Sequence, residues 1–234
     1  MNNQKDYKKE NTNSGISRRE FLKQSKNIAF GIGAGGVLTH FFWLDNGIAA
    51  VPASEGYLLV DTKKCQGCMS CMMACTLVHE GATNPSLARI QVIQNPFLKW
   101  PDDVTVEQCR QCVEPACVEA CPADALKADP EHRNVRTVDE EKCIGCLSCV
   151  EACPFTPSRA HWNFQEDHAQ KCDLCARAPF WEYGGGPAGE QACVEVCPVG
   201  AIKFTSEIPE QKGDKGYKVN LRDQAWQWLG YPKD

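Results

Sequence analysis

Between residues 55 and 205 the apolar positions fall in short runs separated by polar and turn-forming residues. "ALKA" at 125–128 and "VRTV" at 135–138 read as two short strands flanking the turn "DPEHRN". "YLLVD" at 57–61 and "AIKFT" at 201–205 read as a second pair, distant in sequence. The longest apolar run is "IAFGIGAGGVLTHFFW" at 28–43, Gly-rich and shorter than the roughly 18–20 residues a spanning helix needs. In the tail, Leu221, Ala225, Trp226 and Leu229 would line one face of a short helix, either packed on the protein's own body or docked on another subunit.

The segment before the strands is organised differently. A polar, Lys-rich leader is followed by "SRREFLK" at 17–23, the apolar run, and the small-residue stretch "GIAAVPAS". This order is that of an export signal cut after Ala50 or Ala53. The pair Arg18–Arg19 with Phe21 and Leu22 resembles the bacterial twin-arginine signal. Residues 1–53 are therefore expected to be a signal sequence, cleaved on export or retained as an anchor. The twin-arginine export machinery becomes an expected partner and the periplasm the expected location, peripheral to the membrane through a partner or an uncleaved signal. That route carries folded proteins with cofactors already inside.

Composition changes the picture at one point, the 16 cysteines. A net charge of -5, with no basic cluster, argues against nucleic acid as a partner. The cysteines form four groups of four: Cys65, Cys68, Cys71, Cys75; Cys109, Cys112, Cys117, Cys121; Cys143, Cys146, Cys149, Cys153; and Cys172, Cys175, Cys193, Cys197. Groups one and three have the spacing C-x2-C-x2-C-x3-C, which resembles the ligand run of bacterial ferredoxins. There, three closely spaced thiolates reach different irons of one [4Fe-4S] cube and the fourth reaches a second cube. Gly67 and Gly145 occupy the same slot in the two runs, where a tight turn close to inorganic sulfide is expected. Pro122, Pro154 and Pro198 follow the last cysteine of three groups, whereas group one has Thr76. Structural zinc has no use for the third cysteine, neighbouring CxxC cysteines suit few unstrained disulfides, and a thioredoxin-type site needs only one pair.

The chain also repeats. "VDTKKCQGCMSCMMAC" from Val60 aligns with "VDEEKCIGCLSCVEAC" from Val138, and "ACVEACPADALK" from Ala116 with "ACVEVCPVGAIK" from Ala192. Group four differs by an insertion over 176–192 that reads as a surface loop, idle or in contact with a partner. Groups two and three are joined as the two runs of a bacterial ferredoxin are, by helix, strand, turn and strand; elimination leaves groups one and four as the second unit. The ferredoxin crossing then implies Cys65, Cys68, Cys71 with Cys197; Cys172, Cys175, Cys193 with Cys75; Cys109, Cys112, Cys117 with Cys153; and Cys143, Cys146, Cys149 with Cys121. An inner unit over 107–159 would sit within an outer unit made of 54–106 and 160–206, followed by a tail over 207–234.

Four groups in this order resemble the four-cluster iron–sulfur subunits of the dimethyl sulfoxide reductase family, with similar subunits in polysulfide, nitrite and formate respiratory complexes. The resemblance implies an α+β fold of two ferredoxin-like dicluster units, one inserted in the other, with small two-stranded sheets and short helices. It implies four [4Fe-4S] clusters and no catalytic residues. Such a subunit relays single electrons between a quinone-linked membrane subunit, oxidising quinol or reducing quinone, and a catalytic oxidoreductase subunit of molybdo- or tungsto-pterin type. A tungsten aldehyde-oxidoreductase-like enzyme or a multihaem nitrite reductase is the alternative catalytic partner, and a structural cluster-binding module the remoter reading. Every iron has a thiolate, so the expected chemistry is one-electron storage, tuned by hydrogen bonds, burial and charge across roughly -700 to +450 mV. Lys64, Lys142 and Lys171, each before a first ligand, either favour reduced clusters or are solvated. His79, His161 and His168 are read as surface or satisfied residues rather than relays, and Trp100, Trp162, Phe164 and Trp181 as covers of clusters or small cores.

Overall fold

The computed structural model describes residues 51–210 and 219–230. The export signal, but for its last three residues, lies outside the described residues, as do 211–218 and 231–234 of the tail. Among the described residues eight short strands form four two-stranded antiparallel sheets. β1 (Tyr57–Val60) pairs with β8 (Ile202–Thr205), Tyr57 opposite Thr205 and Val60 opposite Ile202. β4 (Leu126–Asp129) pairs with β5 (Val135–Val138). Both pairings expected from the sequence are thus present. In the second, the Asp129 side chain accepts from Glu131 N at 3.1 Å, and Arg133 and Asn134 both adopt positive φ to close the turn.

Two hairpins were not anticipated. β2 (Ile90–Gln94) pairs with β3 (Val104–Gln108), and β6 (Ala160–Asn163) with β7 (His168–Lys171). The first carried a signal: Ile90 and Val92, like Val104 and Val106, alternate toward the core on either side of a Pro-containing turn. The second carried none, because β7 is buried at all four positions yet reads His-Ala-Gln-Lys. Hydrogen bonds replace apolar packing there, with Gln170 Nε2 donating to Leu87 O at 2.9 Å.

Of the five α-helices among the described residues only α1 (Ser70–Glu80) exceeds five residues. α2 (Ala116–Glu119), α3 (Ser148–Glu151) and α4 (Ala192–Glu195) are single turns, each stopping just before the last cysteine of its group. The prolines after those cysteines suit a chain that is leaving a helix. α1 instead continues through Thr76, whose buried hydroxyl donates to Met73 O at 3.0 Å. A proline there would interrupt the helix, which accounts for the departure of group one. The main core is small and built partly from ligand residues: Cys71, Cys75, Cys109, Cys172 and Cys193 lie in it with Leu58, Val60, Ile90 and Ile202.

The described stretch of the tail at 219–230 is tied to the body through Leu221 and Arg222. Asp61 Oδ2 accepts from Leu221 N at 2.9 Å and Arg222 Nε at 3.1 Å, and Lys64 Nζ donates to Leu221 O at 2.8 Å. The expected apolar stripe is corrected: α5 (Gln224–Trp228) is too short to lay one, Ala225 and Leu229 are exposed, and only Trp226 packs, against Trp100. The 176–192 insertion folds back as a cover. Gly186 N donates to Leu174 O at 2.7 Å, and Gln191 Nε2 donates to Gly186 O at 2.9 Å.

Candidate metal centres

In each cysteine group the residue before the second cysteine takes a left-handed backbone: Gly67 (φ 68°), Gln111 (49°), Gly145 (69°) and Leu174 (57°). Met69 and Leu147, the N-caps of α1 and α3, do the same. Turns of this kind aim successive amide N–H groups into a concavity, the arrangement that receives phosphates and iron–sulfur groups. Glycine is the inexpensive choice at the slot, and neighbouring side chains enforce it. A Cβ on Gly145 would sit 2.9 Å from the Trp162 ring, and one on Gly67 would collide with the Gln94 amide. The close neighbours are thus protein side chains as well as any sulfide. Gln111 tolerates the conformation because its fully buried amide bridges two groups, donating to Cys172 O and accepting from Arg136 N, both at 2.8 Å.

The fold gathers the cysteines in fours. Cys109, Cys112, Cys117 and Cys153 line one cavity, Cys75, Cys172, Cys175 and Cys193 a second, and Cys121, Cys143, Cys146 and Cys149 a third. Cys65, Cys68, Cys71 and Cys197 lie close enough for Cys71 to feel the charge of the other three. Every set takes three cysteines from one group and one from another. All sixteen are free thiols. Among the described residues no three Cys, His, Asp or Glu side chains converge on a single metal ion. Tetrahedral zinc would bring four sulfurs to within about 3.8 Å of one another. Three of the sets line cavities instead, the arrangement that a cube with one thiolate per iron would use.

The electrostatics point the same way. Burial, reinforced by neighbouring cysteines, pushes the Cys71 thiol up to about 12 and Cys112 to about 11. Cys172 and Cys193 are also raised, by burial first and then by neighbouring negative charge. Four such groups ionise together only around a cationic centre. Where the set is exposed, a serine eases ionisation: the hydroxyls of Ser70 and Ser148 hold Cys68 and Cys146 below the ordinary thiol value. The last cysteine of each group also accepts a backbone N–H: Cys75 from Arg89 (3.3 Å), Cys121 from Leu126 (3.5 Å), Cys153 from Arg159 (3.2 Å) and Cys197 from Ala201 (3.2 Å).

Charged side chains are distributed unevenly. The wall around Cys109, Cys112, Cys117 and Cys153 includes Arg110, Arg136, Arg159 and Lys171, all buried. Arg159 pairs with Glu107. Arg136 donates to Pro52 O and Asn134 O, both at 2.6 Å, and to Cys112 O at 2.9 Å. Lys171 Nζ donates to Arg136 O at 2.6 Å and Cys172 O at 3.2 Å. A buried cation facing only neutral carbonyls costs on the order of several kcal/mol, which an anionic cluster would offset. Around Cys75, Cys172, Cys175 and Cys193 the arrangement is a paired one. His79 Nε2 meets Asp173 Oδ1 and Arg89 meets Asp173 Oδ2, both at 3.0 Å.

The three lysines of the sequence pattern therefore separate: Lys171 and Lys64 are buried, while Lys142 is exposed and pairs with Asp139 at 2.7 Å. His79 and His168 are buried and His161 is half-buried, so none is a surface residue. Trp100 Nε1 donates to Cys65 O at 2.8 Å, a cover as expected, and Trp181 Nε1 to Glu190 O at 2.9 Å within the insertion. Phe164 is 83% exposed on the β6–β7 turn and covers nothing. Arg136, Arg89, Asp173 and Gln111 were missed, because nothing in a sequence marks a charge or amide as buried.

Cysteine loops of this geometry, short helices and two-stranded sheets define a ferredoxin-like iron–sulfur carrier. Models of the 4Fe-4S dicluster domain match residues 57–122 and 102–207. The chain is 34% identical to the thiosulfate reductase electron transfer subunit PhsB of Salmonella typhi, over 68% of this chain and 81% of that protein. It is 38% identical to the polyferredoxin-like subunit of an aliphatic sulfonate oxidoreductase of Pyrococcus furiosus, over 60% of this chain and 70% of that one. Against the Hydrogenase-2 operon protein HybA of Escherichia coli O157:H7 it is 30% identical, over 81% of this chain but 62% of the relative. The chain belongs to the family of 4Fe-4S dicluster electron-transfer proteins, with the α+β ferredoxin-like fold expected of it.

Proposed function

We propose that this chain is an exported electron-transfer subunit whose four cysteine sets each hold a [4Fe-4S] cluster. Bound there, the clusters supply reversible one-electron chemistry. The observation that carries the reading is the order in which the sets adjoin. The Cys193 thiol feels Cys71, linking the first two sets, and the Cys172 thiol feels Cys109, linking the second to the third. Cys117 of the third set packs with Cys121, Cys143 and Cys149 of the fourth. The exposed cysteines, Cys68 and Cys146, belong to the two end sets, while all four cysteines of the Cys75–Cys193 set are buried. The chain thus buries one middle set fully, leaves the other half-buried at Cys112, Cys117 and Cys153, and exposes cysteines at the two ends, which suits a relay between two partners. The division into an outer unit (54–106 and 160–206) and an inner unit (107–159) follows from this reading, the β2–β3 hairpin bridging the first boundary.

One end is assigned to a catalytic subunit of pterin-metal type and the other to a quinone-linked membrane subunit. The similarity to the thiosulfate reductase subunit supports this. Similarity to a subunit of an aliphatic sulfonate oxidoreductase favours keeping a second class of catalytic partner, and co-purification separates the two. Residues 1–53 are assigned to twin-arginine export and the protein to the periplasm. The direct test is iron, zinc and acid-labile sulfide analysis of protein assembled in the cytoplasm. Four irons and four sulfides per set are expected; stoichiometric zinc without sulfide would sink the reading. Replacing Arg18 and Arg19 by Lys tests export separately, a folded protein then remaining in the cytoplasm.

A further inference from the structure

Arg136 and Lys171 lie on the wall of the Cys109, Cys112, Cys117 and Cys153 cavity. They are 1% and 3% exposed. Every hydrogen bond they make goes to a backbone carbonyl, and Arg136 Nε has no partner at all. No described carboxylate forms an ion pair with either. The other sets are surrounded differently. The Cys121, Cys143, Cys146 and Cys149 cavity is walled by alanine, leucine, valine and isoleucine, with no charged side chain. In the Cys75–Cys193 set the cations Arg89 and His79 share the carboxylate of Asp173. In the Cys65–Cys197 set Cys68 is exposed, so solvent screens charge there.

Buried cations are retained where an anion needs them. We propose that Arg136 and Lys171 act as fixed counter-charges that make the cluster held by Cys109, Cys112, Cys117 and Cys153 the first of the four to accept an electron. The inference rests on the cluster assignment above. Reduction adds one electron, supplied in a titration by dithionite, and makes that group one unit more negative with no atom gained or lost. Each nearby cation stabilises the added charge, and the low dielectric of the site magnifies the effect. At an effective dielectric constant of about 20, a unit charge a few ångströms away alters the equilibrium by about tenfold or more. Because the set is internal to the row, an electron resting there is held away from both ends, and the protein stores one electron between encounters.

The test is a mediated redox titration of the full-length holoprotein, followed by electron paramagnetic resonance. In the wild type, the first signal to appear on reduction is expected to be relaxed less by an external dysprosium chelate than the signals of the two end clusters, whose Cys68 and Cys146 are exposed while Cys112, Cys117 and Cys153 are half-buried. Arg136→Gln and Lys171→Gln should each weaken the reduction equilibrium of that same signal by about tenfold, which is about 59 mV for one electron. The other three midpoints should move clearly less, Lys171 also touching Cys172 O of the neighbouring set, and Lys171→Arg should restore the wild-type value. Cys112→Ser identifies the signal by altering its line shape. A first signal as dysprosium-sensitive as those of the end clusters overturns the proposal, as do variants that move different midpoints, none, or all four equally. If neither neutral variant assembles, the dysprosium result and the Cys112→Ser assignment decide on their own. Failure of the underlying cluster assignment would show separately, as missing iron and sulfide.

Discussion

Arg177 Nη2 donates to Asp129 Oδ2 across 2.9 Å, tying the loop after the second cysteine of group four to the turn between β4 and β5. Asp129 is nearly buried and also accepts from His132 Nδ1 at 2.9 Å. Asp129→Asn keeps the shape and removes the charge. It should cost roughly 1–3 kcal/mol, read as a lower midpoint in chemical denaturation of the holoprotein.

The same carboxyl sets a pH dependence. Burial works to raise its pKa, but hydrogen bonds from His132 and Arg177 overcome this and hold it below the ordinary value. A group depressed in the folded state contributes its full stability above the unfolded pKa of about 3.9 and loses it as pH falls through the folded value. Wild type should therefore lose stability on acidification below about pH 4 more steeply than Asp129→Asn. Parallel acid-denaturation curves would remove Asp129 as the cause.

Gln111 offers a sharper comparison because it combines a left-handed backbone with two buried hydrogen bonds. Gln111→Ala keeps the left-handed backbone and should cost roughly 1–3 kcal/mol, because the buried Arg136 N–H loses its acceptor while Cys172 O keeps Lys171 Nζ. Gln111→Gly loses the same bonds but relieves the strain, so it should be more stable than the alanine variant by about 1 kcal/mol. Equal losses for both would show that the backbone conformation carries no strain.

At Gly145 the left-handed backbone and the Trp162 ring act together. Gly145→Ala should lower stability by about 1–3 kcal/mol and deplete iron from the Cys121, Cys143, Cys146 and Cys149 set. Adding Trp162→Leu should recover the steric part alone. Gly184 is also left-handed but has open space around it, so Gly184→Ala isolates the backbone part at about 1 kcal/mol.

The elements readable in the sequence are those whose residues had one dominant job. β1, β8, β4 and β5 alternate or cluster apolar residues next to turns, and the cysteine spacings state their ligand role directly. β7 was unreadable because buried His168, Gln170 and Lys171 imitate a surface stretch. The short tail helix was overread, since an apolar period says nothing about what lies opposite it. Phe164 failed for the same reason, while the positions of Arg136 and Lys171 depend on a fold whose core is partly lined by cysteines. Spacing reports local ligands, but the environment that tunes them is assembled from distant strands.

The membership of the four sets is the relationship most open to direct test. Cys75 belongs by sequence to group one, beside Cys71, yet it lines a cavity with Cys172, Cys175 and Cys193. If the sets are the ligand sets, Cys75→Ser and Cys193→Ser should alter one and the same paramagnetic signal, although the two residues lie on α1 and α4. Cys71→Ser should alter a different signal, shared with Cys197→Ser, despite being only four residues from Cys75. Serine keeps an oxygen ligand of similar size, so each variant should perturb its set without emptying the others, and the iron content should fall by at most about one cluster. A result in which Cys71→Ser and Cys75→Ser perturb the same signal would mean that each group serves a single cluster. The crossing, and with it the adjacency of the four sets, would then be wrong.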